Sequence, residues 1–233
     1  MVEEYSELLD YYKGLFDQID VFHFNSYNTA EVYKRYLRIP GSSKVIPITH
    51  SGIDDRRKQR SFDEKLLRLG FIGSEAPYKG LPILKEVLSR LDRNGLSDRI
   101  ELNVYGGKTG VDDQLKNVYY KGRFTSSQME DVFNSIELLV VPSICNETFS
   151  LITLEALQYG VPVMVSKNVG ARMLIEKISD QFVFDGIEDL YKIINGLLSD
   201  KRPLTLFNEK LLSVEWNYSM ADHAQTIISE LYK

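Results

Sequence analysis

Two carboxylates, Glu147 and Glu155, bracket the stretch of this chain whose residue types and spacing suit ligand chemistry best: Val140-Val141-Pro142-Ser143-Ile144-Cys145-Asn146-Glu147-Thr148-Phe149-Ser150-Leu151-Ile152-Thr153-Leu154-Glu155-Ala156-Leu157, then Gly160-Val161-Pro162-Val163. A carboxylate accepts hydrogen bonds and vicinal hydroxyls donate them, so a polyol satisfies both. Leu138 to Val141 reads as a buried strand, and Leu151, Leu154, Glu155 and Leu157 follow at helical spacing. The loop between them, with Asn146, Glu147, Thr148 and Ser150, falls at the carboxyl end of a parallel strand, where open α/β sheets bind ligands. The unpaired N–H groups of the helix start, from about Phe149 to Ile152, face the same space and favour an anion such as phosphate. Hydroxyls at both ends and phosphates between describe a nucleoside diphosphate sugar. A solvated loop Glu and a helix Glu with a structural partner fit the same spacing, and spacing alone leaves both open.

Lys79 follows a Gly-rich turn and precedes a helix, so its ammonium can reach phosphates. A cation at a helix start opposes the helix dipole, which favours a ligand role over a solvated one. Gly73 and Gly80 would let the backbone approach a ligand, and each also suits a strand end or helix start. Arg123, close to Tyr120 and Gly122, suits stacking on or bordering a base. His23 and His50 fit no recognisable motif and are expected to be satisfied polar groups or part of a hinge. Cys145 reads as a small hydrophobe at a strand end. No Asp-x-Asp and no His/Cys cluster of ligand spacing occurs, so neither metal nor cofactor is expected.

The elements that must position these groups alternate from Leu66 onward. Strands are expected at 67–72, 100–105, 118–121, 137–141, 161–165 and 181–184, with helices at about 80–92, 127–135 and 150–158 and filling the remainder. Such alternation implies a parallel sheet covered on both faces, because each parallel connection must cross over. Before it, Val2, Tyr5, Leu8, Leu9, Tyr12 and Phe16 predict an amphipathic helix and Ile19 to Phe24 a strand. A helix starting at Asn28 or Thr29 is broken by Pro40-Gly41, and Lys44 to Thr49 predicts another strand. His50 to Asp54 is a turn leading into a charged stretch, Asp55 to Lys65, expected to be mobile.

A 233-residue chain with 43% hydrophobic residues can bury a real core. The net charge of −5, with no basic run, argues against a nucleic-acid binder and gives no electrostatic attraction to an anionic membrane, which leaves membrane contact open. A single cysteine excludes an intrachain disulfide. No signal peptide or spanning segment is read, and a cytoplasmic location is expected.

Glu147-x7-Glu155, with Pro142-Ser143 before it and Glu155-Ala156-Leu157-x-x-Gly160-Val161-Pro162-Val163 after it, resembles the signature of retaining GT-B glycosyltransferases of the GT4 type. Leu69-Gly70-Phe71-Ile72-Gly73 with Lys79-Gly80, Leu102-Asn103-Val104-Tyr105-Gly106-Gly107 and Val118-Tyr119-Tyr120-Lys121-Gly122-Arg123 resemble further motifs of that family in the same order. The resemblance covers roughly residues 66–233 and implies an α/β fold. It would be a Rossmann-like, doubly wound parallel sheet, the C-terminal half of a GT-B architecture. Residues 1–54 would be the last β-α-β piece of an acceptor domain, 55–65 a linker, and the closing helices would cross back toward that domain.

The resemblance also implies a UDP- or GDP-sugar donor, held by Gly73, Ser74, Lys79, Tyr120, Arg123, Glu147, Thr148, Phe149, Ser150, Leu151 and Glu155. Glu147 would bind sugar hydroxyls and Glu155 ribose hydroxyls. Lys79 and the N–H groups of Phe149, Ser150 and Leu151 would stabilise the departing diphosphate, which places catalysis on Lys79 and Glu147. The implied partners are a nucleotide sugar and an acceptor domain, in the same chain or another. A nucleotide-sugar epimerase of the same fold and a non-catalytic binding subunit are the alternatives. Three departures bear on donor affinity and identity. Thr148 and Ser150 replace the usual glycines, so Ser150 is expected to cap the helix. Ser74 replaces a common Arg, and Met173 stands where a Glu often follows the glycine turn, here Val169-Gly170.

Overall fold

The computed structural model describes residues 2–39, 41–108 and 113–232. The N-terminal part consists of α1 (Val2–Phe16), β1 (Val21–Phe24), α2 (Tyr27–Tyr36) and β2 (Ser42–Val45). The remainder runs β3 (Leu67–Ile72), α3 (Leu81–Arg93), β4 (Ile100–Tyr105), β5 (Val118–Gly122), α4 (Met129–Asn134), β6 (Leu138–Val141), α5 (Leu151–Leu157), β7 (Val163–Ser166), α6 (Arg172–Ile178), β8 (Val183–Phe184), α7 (Gly186–Ser199), α8 (Arg202–Ser213) and α9 (Met220–Leu231).

Strands β3 to β8 form one sheet in the order β5-β4-β3-β6-β7-β8, every pairing parallel. Renumbered within the sheet this is the 3-2-1-4-5-6 order of a doubly wound, Rossmann-like fold. Successive side chains of a strand point to opposite faces, yet every residue of β6 and of β7 is buried. Both faces of the sheet are therefore covered, as the alternation of strands and helices demands.

The N-terminal part is a separate two-stranded parallel sheet, β1 on β2, with a small core of Phe22, Phe24 and Ala30. The strand expected from Ile19 begins at Val21, and the one expected over Lys44 to Thr49 runs from Ser42 to Val45, because each strand offers the other only four partners. Helix α2 begins at Tyr27, one or two residues before its expected start, after an N-cap formed by Ser26, whose hydroxyl accepts the Thr29 N–H at 3.1 Å. Pro40, expected with Gly41 to end that helix, lies outside the described residues. Helix α9 reaches back to this sheet, with Lys44 Nζ 2.7 Å from Glu230 Oε2.

The charged stretch 55–65 is pinned, contrary to the expectation of mobility. Arg57 donates to the carbonyls of Leu211 and Val214, and Arg60 to those of Phe133 and Ile136. Buried Glu137 accepts the N–H groups of Asp63 and Arg68 and pairs with Lys201 at 3.1 Å. Charges that resemble a solvated linker in the sequence bind backbone carbonyls and strap the segment across the sheet domain.

Candidate functional site

The sheet order reverses between β3 and β6, and crevices at such a switch point are where doubly wound sheets take ligands. A cleft lies there at the carboxyl ends of the two strands, lined in part by Ile72, Gly73, Lys79, Glu147, Ser150 and Ile152. It encloses about 50 Å³, room for water rather than for a nucleotide, since ligand pockets run to about 300 Å³ or more.

Lys79 closes a short 3-10 turn, Pro77–Lys79, that ends at Gly80 in the left-handed region, φ +83°. A Cβ on Gly80 would stand 1.7 Å from the Pro142 carbonyl oxygen, so only glycine lets this turn lie on the β6 loop. The contact continues with the Ile144 N–H donating to the Tyr78 carbonyl at 2.8 Å. This close approach carries Lys79 Nζ to 2.8 Å from Glu147 Oε1. Buried Ser143 donates its hydroxyl to the same oxygen at 2.5 Å. Glu147 is fixed through its backbone too, its N–H donating to the Asn168 carbonyl at 2.9 Å and its carbonyl accepting the Gly170 N–H at 3.1 Å.

Ser150 occupies the N-cap position of α5 but does not cap it, contrary to expectation. Its φ of 103° is a conformation that L-residues rarely adopt. Its hydroxyl instead accepts the Thr153 side-chain hydroxyl at 3.1 Å. Among the described residues, no carbonyl or side chain receives the amides of Phe149, Ser150, Leu151 or Ile152. Leu151 and Glu155, four residues apart, share one face of α5. The Phe149 ring is buried, leaving only its backbone to face a ligand.

Glu155 Oε1 stands 3.0 Å from His50 Nε2, so the helix carboxylate does have a partner, from the turn after β2. Ser74 and Thr148 are exposed. Tyr120 and Arg123 are not brought to this cleft. Tyr120 belongs to the edge strand β5, where its phenol donates to Asp113 Oδ2 at 3.0 Å, and Arg123 is exposed just beyond it. Burial pushes the Asp113 carboxyl up, but Lys85 at 2.6 Å, the Leu115 N–H and the Tyr120 phenol together outweigh it and hold the group below the usual carboxylate range. Among the described residues, no group of three or more His, Cys, Asp or Glu could hold a metal, and no helix is long and apolar enough to cross a membrane.

Sequence reasoning missed several residues that shape the site. Ser26 and Thr29 donate their hydroxyls to the Thr148 carbonyl at 2.7 and 3.0 Å, and Asn28 donates its amide to the Asn168 carbonyl at 2.9 Å. The start of α2 thus clamps the loop that carries Glu147. These contacts span more than a hundred residues and leave no local pattern; the hydroxyl run at 26–29 signals a cap and nothing more.

Residues 67–200, more than half of the chain, match the profile of "Glycosyl transferases group 1". A lipopolysaccharide 1,2-N-acetylglucosaminetransferase of Salmonella typhimurium is 24% identical over 197 residues, covering 77% of this chain and 48% of that protein. The chain thus spans about half the length of this curated relative. Among solved structures, Anabaena Alr3699/HepE in complex with UDP and glucose superposes with a TM-score of 0.74 at 16% identity, over 97% of this chain and 66% of that one. Sucrose-phosphate synthase from Thermosynechococcus elongatus gives 0.69 at 18% identity, over 96% and 60%. At these identities the structural likeness speaks for the fold.

Proposed function

We propose, since this chain belongs to the glycosyl transferases group 1 family, that its switch-point cleft holds the nucleotide-sugar donor of a retaining, GT4-like transferase. The observation that carries this reading is the convergence of Lys79 and Glu147, 68 residues apart, at the carboxyl ends of β3 and β6. A cation and an acceptor-only carboxylate at one point suit a ligand that joins phosphate to hydroxyls. UDP is bound by the Anabaena neighbour, and UDP- or GDP-sugars are the donors proposed here.

In the reaction the bond from the anomeric carbon to the diphosphate oxygen breaks, and a bond to an acceptor hydroxyl oxygen forms with retained configuration. The hydroxyl proton passes to solvent. Negative charge grows on the departing diphosphate, where Lys79 and the free amides of Phe149, Ser150 and Leu151 stabilise it. Glu147 holds the sugar hydroxyls and Glu155 those of the ribose; neither transfers a proton. No step calls for a metal. The work is done in the cytoplasm, where nucleotide sugars are made.

Transfer also requires the acceptor hydroxyl to be held near the anomeric carbon, which contributes several kcal/mol, on the order of 7 when well oriented. A facing acceptor domain supplies this positioning, with residues 1–54 as its last segment and 55–65 as the link. The test incubates the purified chain with UDP- and GDP-sugars and candidate acceptors, with and without an acceptor-domain polypeptide in trans. Donor binding without transfer, and transfer on adding the domain, are expected. Transfer at an ordinary enzymatic rate by the chain alone would contradict the division of labour. Binding that never leads to transfer in either arm would favour a non-catalytic subunit.

A further inference from the structure

The turn that follows β2 is fastened to α5 at two levels. The Asp54 N–H donates to the side chain of buried Gln158 at 2.9 Å, and the Arg56 N–H to the Gln158 carbonyl at 3.1 Å. One helical turn earlier, His50 Nε2 meets Glu155 Oε1 at 3.0 Å. The Thr49 hydroxyl donates to the Tyr218 carbonyl at 2.5 Å, and the Ile53 N–H closes the turn on the His50 carbonyl at 3.0 Å. The imidazole is therefore held from its own backbone.

The second ring nitrogen fixes the first. The Gly52 N–H donates to His50 Nδ1 at 3.1 Å, so Nδ1 carries a lone pair. A neutral imidazole has one donor and one acceptor nitrogen, which places the proton on Nε2, aimed at Glu155. The contact is then a hydrogen bond from a neutral donor. It orients the carboxylate without cancelling its charge, and Glu155 keeps its capacity to accept from a diol. A lysine or arginine in this place would compete with the ligand for that charge.

We propose that His50 is a positioning residue for nucleotide recognition: it fixes one oxygen of Glu155 so that the other is presented to the vicinal hydroxyls of the ribose. This rests on the donor-site reading of Glu155 and assigns the turn between the two sheets a part in it. Gly52 shares the role, since a Cβ there would come within 2.9 Å of the imidazole Cε1. The obstacle is the tip of a side chain, so Gly52→Ala displaces the ring and leaves the fold in place.

The test combines two measurements on the whole chain. Nitrogen NMR of the ligand-free imidazole is expected to show His50 protonated at Nε2 and not at Nδ1 near neutral pH, with a signal that moves in Glu155→Gln. Calorimetry then compares UDP, GDP and inorganic pyrophosphate. His50→Ala and Gly52→Ala should each weaken the preferred nucleotide about tenfold, the scale of one hydrogen bond to a charged group. Pyrophosphate should bind as before. His50→Gln, which returns an amide donor of similar reach, should recover most of the loss. Wild-type affinity in folded His50→Ala or Gly52→Ala overturns the inference, as does equal loss of pyrophosphate. If the wild-type chain binds neither nucleotide, the donor-site reading fails and this inference falls with it. If it binds and the variants do not differ, this inference alone fails.

Discussion

Lys79 Nζ lies 2.8 Å from Glu147 Oε1, so the cation suited to phosphate and the carboxylate suited to hydroxyls hold each other across the cleft. Glu147 is largely buried, its side chain 11% exposed, and the pair leaves no room for a nucleotide. In the proposed donor complex the two separate, with diphosphate oxygens replacing Glu147 at the ammonium and sugar hydroxyls replacing Lys79 at the carboxylate, which keeps its contact with Ser143.

Lys79→Ala should weaken UDP or GDP by about 1.5 to 3 kcal/mol, the range for a hydrogen bond to a charged group, and leave the bare nucleoside unchanged. Calorimetry with each nucleotide and its nucleoside decides this. Equal losses for both would put Lys79 outside the phosphate site.

The two carboxylates should separate by ligand. Glu147→Gln frees Lys79 from its partner, so it should leave the free nucleotide as tight or tighter while weakening the nucleotide sugar. Glu155→Gln should weaken both by about 1.5 to 3 kcal/mol. If the two variants respond alike, the donor does not lie in the proposed direction.

Ser150→Gly should stabilise the chain. A non-glycine residue in a sparse backbone region costs about 1 to 3 kcal/mol, partly offset by the extra entropy of glycine in the unfolded chain, so a net gain of about 1 kcal/mol is expected in denaturant unfolding. Ser150→Ala keeps the strain and loses the Thr153 contact, and should destabilise. A destabilised Ser150→Gly would mean that the hydroxyl matters more than the backbone angle.

Gly80→Ala should lose about 3 kcal/mol or more, because it meets both an unfavourable φ and a backbone carbonyl that cannot step aside. Chemical denaturation measures it. A loss below about 1 kcal/mol would show that the Lys79 turn is free to lift from Pro142.

Much of the fold was legible because burial on both faces writes itself as short apolar runs: 67–72 and 100–105 are strands as read, and Leu138 to Val141 lies wholly within the run expected at 137–141. In the small N-terminal sheet the first strand was read two residues early and the second two residues late and four too long, since the pairing of two short strands rather than the local apolar runs sets their limits. The strap at 55–65 was misread because an arginine bound to backbone carbonyls and one in water look alike in sequence. Lys79, Glu147 and the helix start were legible through motif order. His50 is a satisfied polar group as read, but its partner Glu155 was not legible, because it lies 105 residues away and only the folded turn brings them together. Nor was the backbone angle of Ser150, since serine before a helix ordinarily signals a cap.

The central claim is that the β3/β6 cleft binds a nucleoside diphosphate, and thermal unfolding of the purified chain against UDP, GDP, ADP and NAD tests it most directly. A ligand that binds only the folded state raises the unfolding temperature by mass action, by about 2.7 kcal/mol at a hundredfold excess over Kd. A concentration-dependent rise with UDP or GDP, reduced in Lys79→Ala and absent with NAD, is the predicted result. No shift with any diphosphate, or a preference for NAD, would contradict the account.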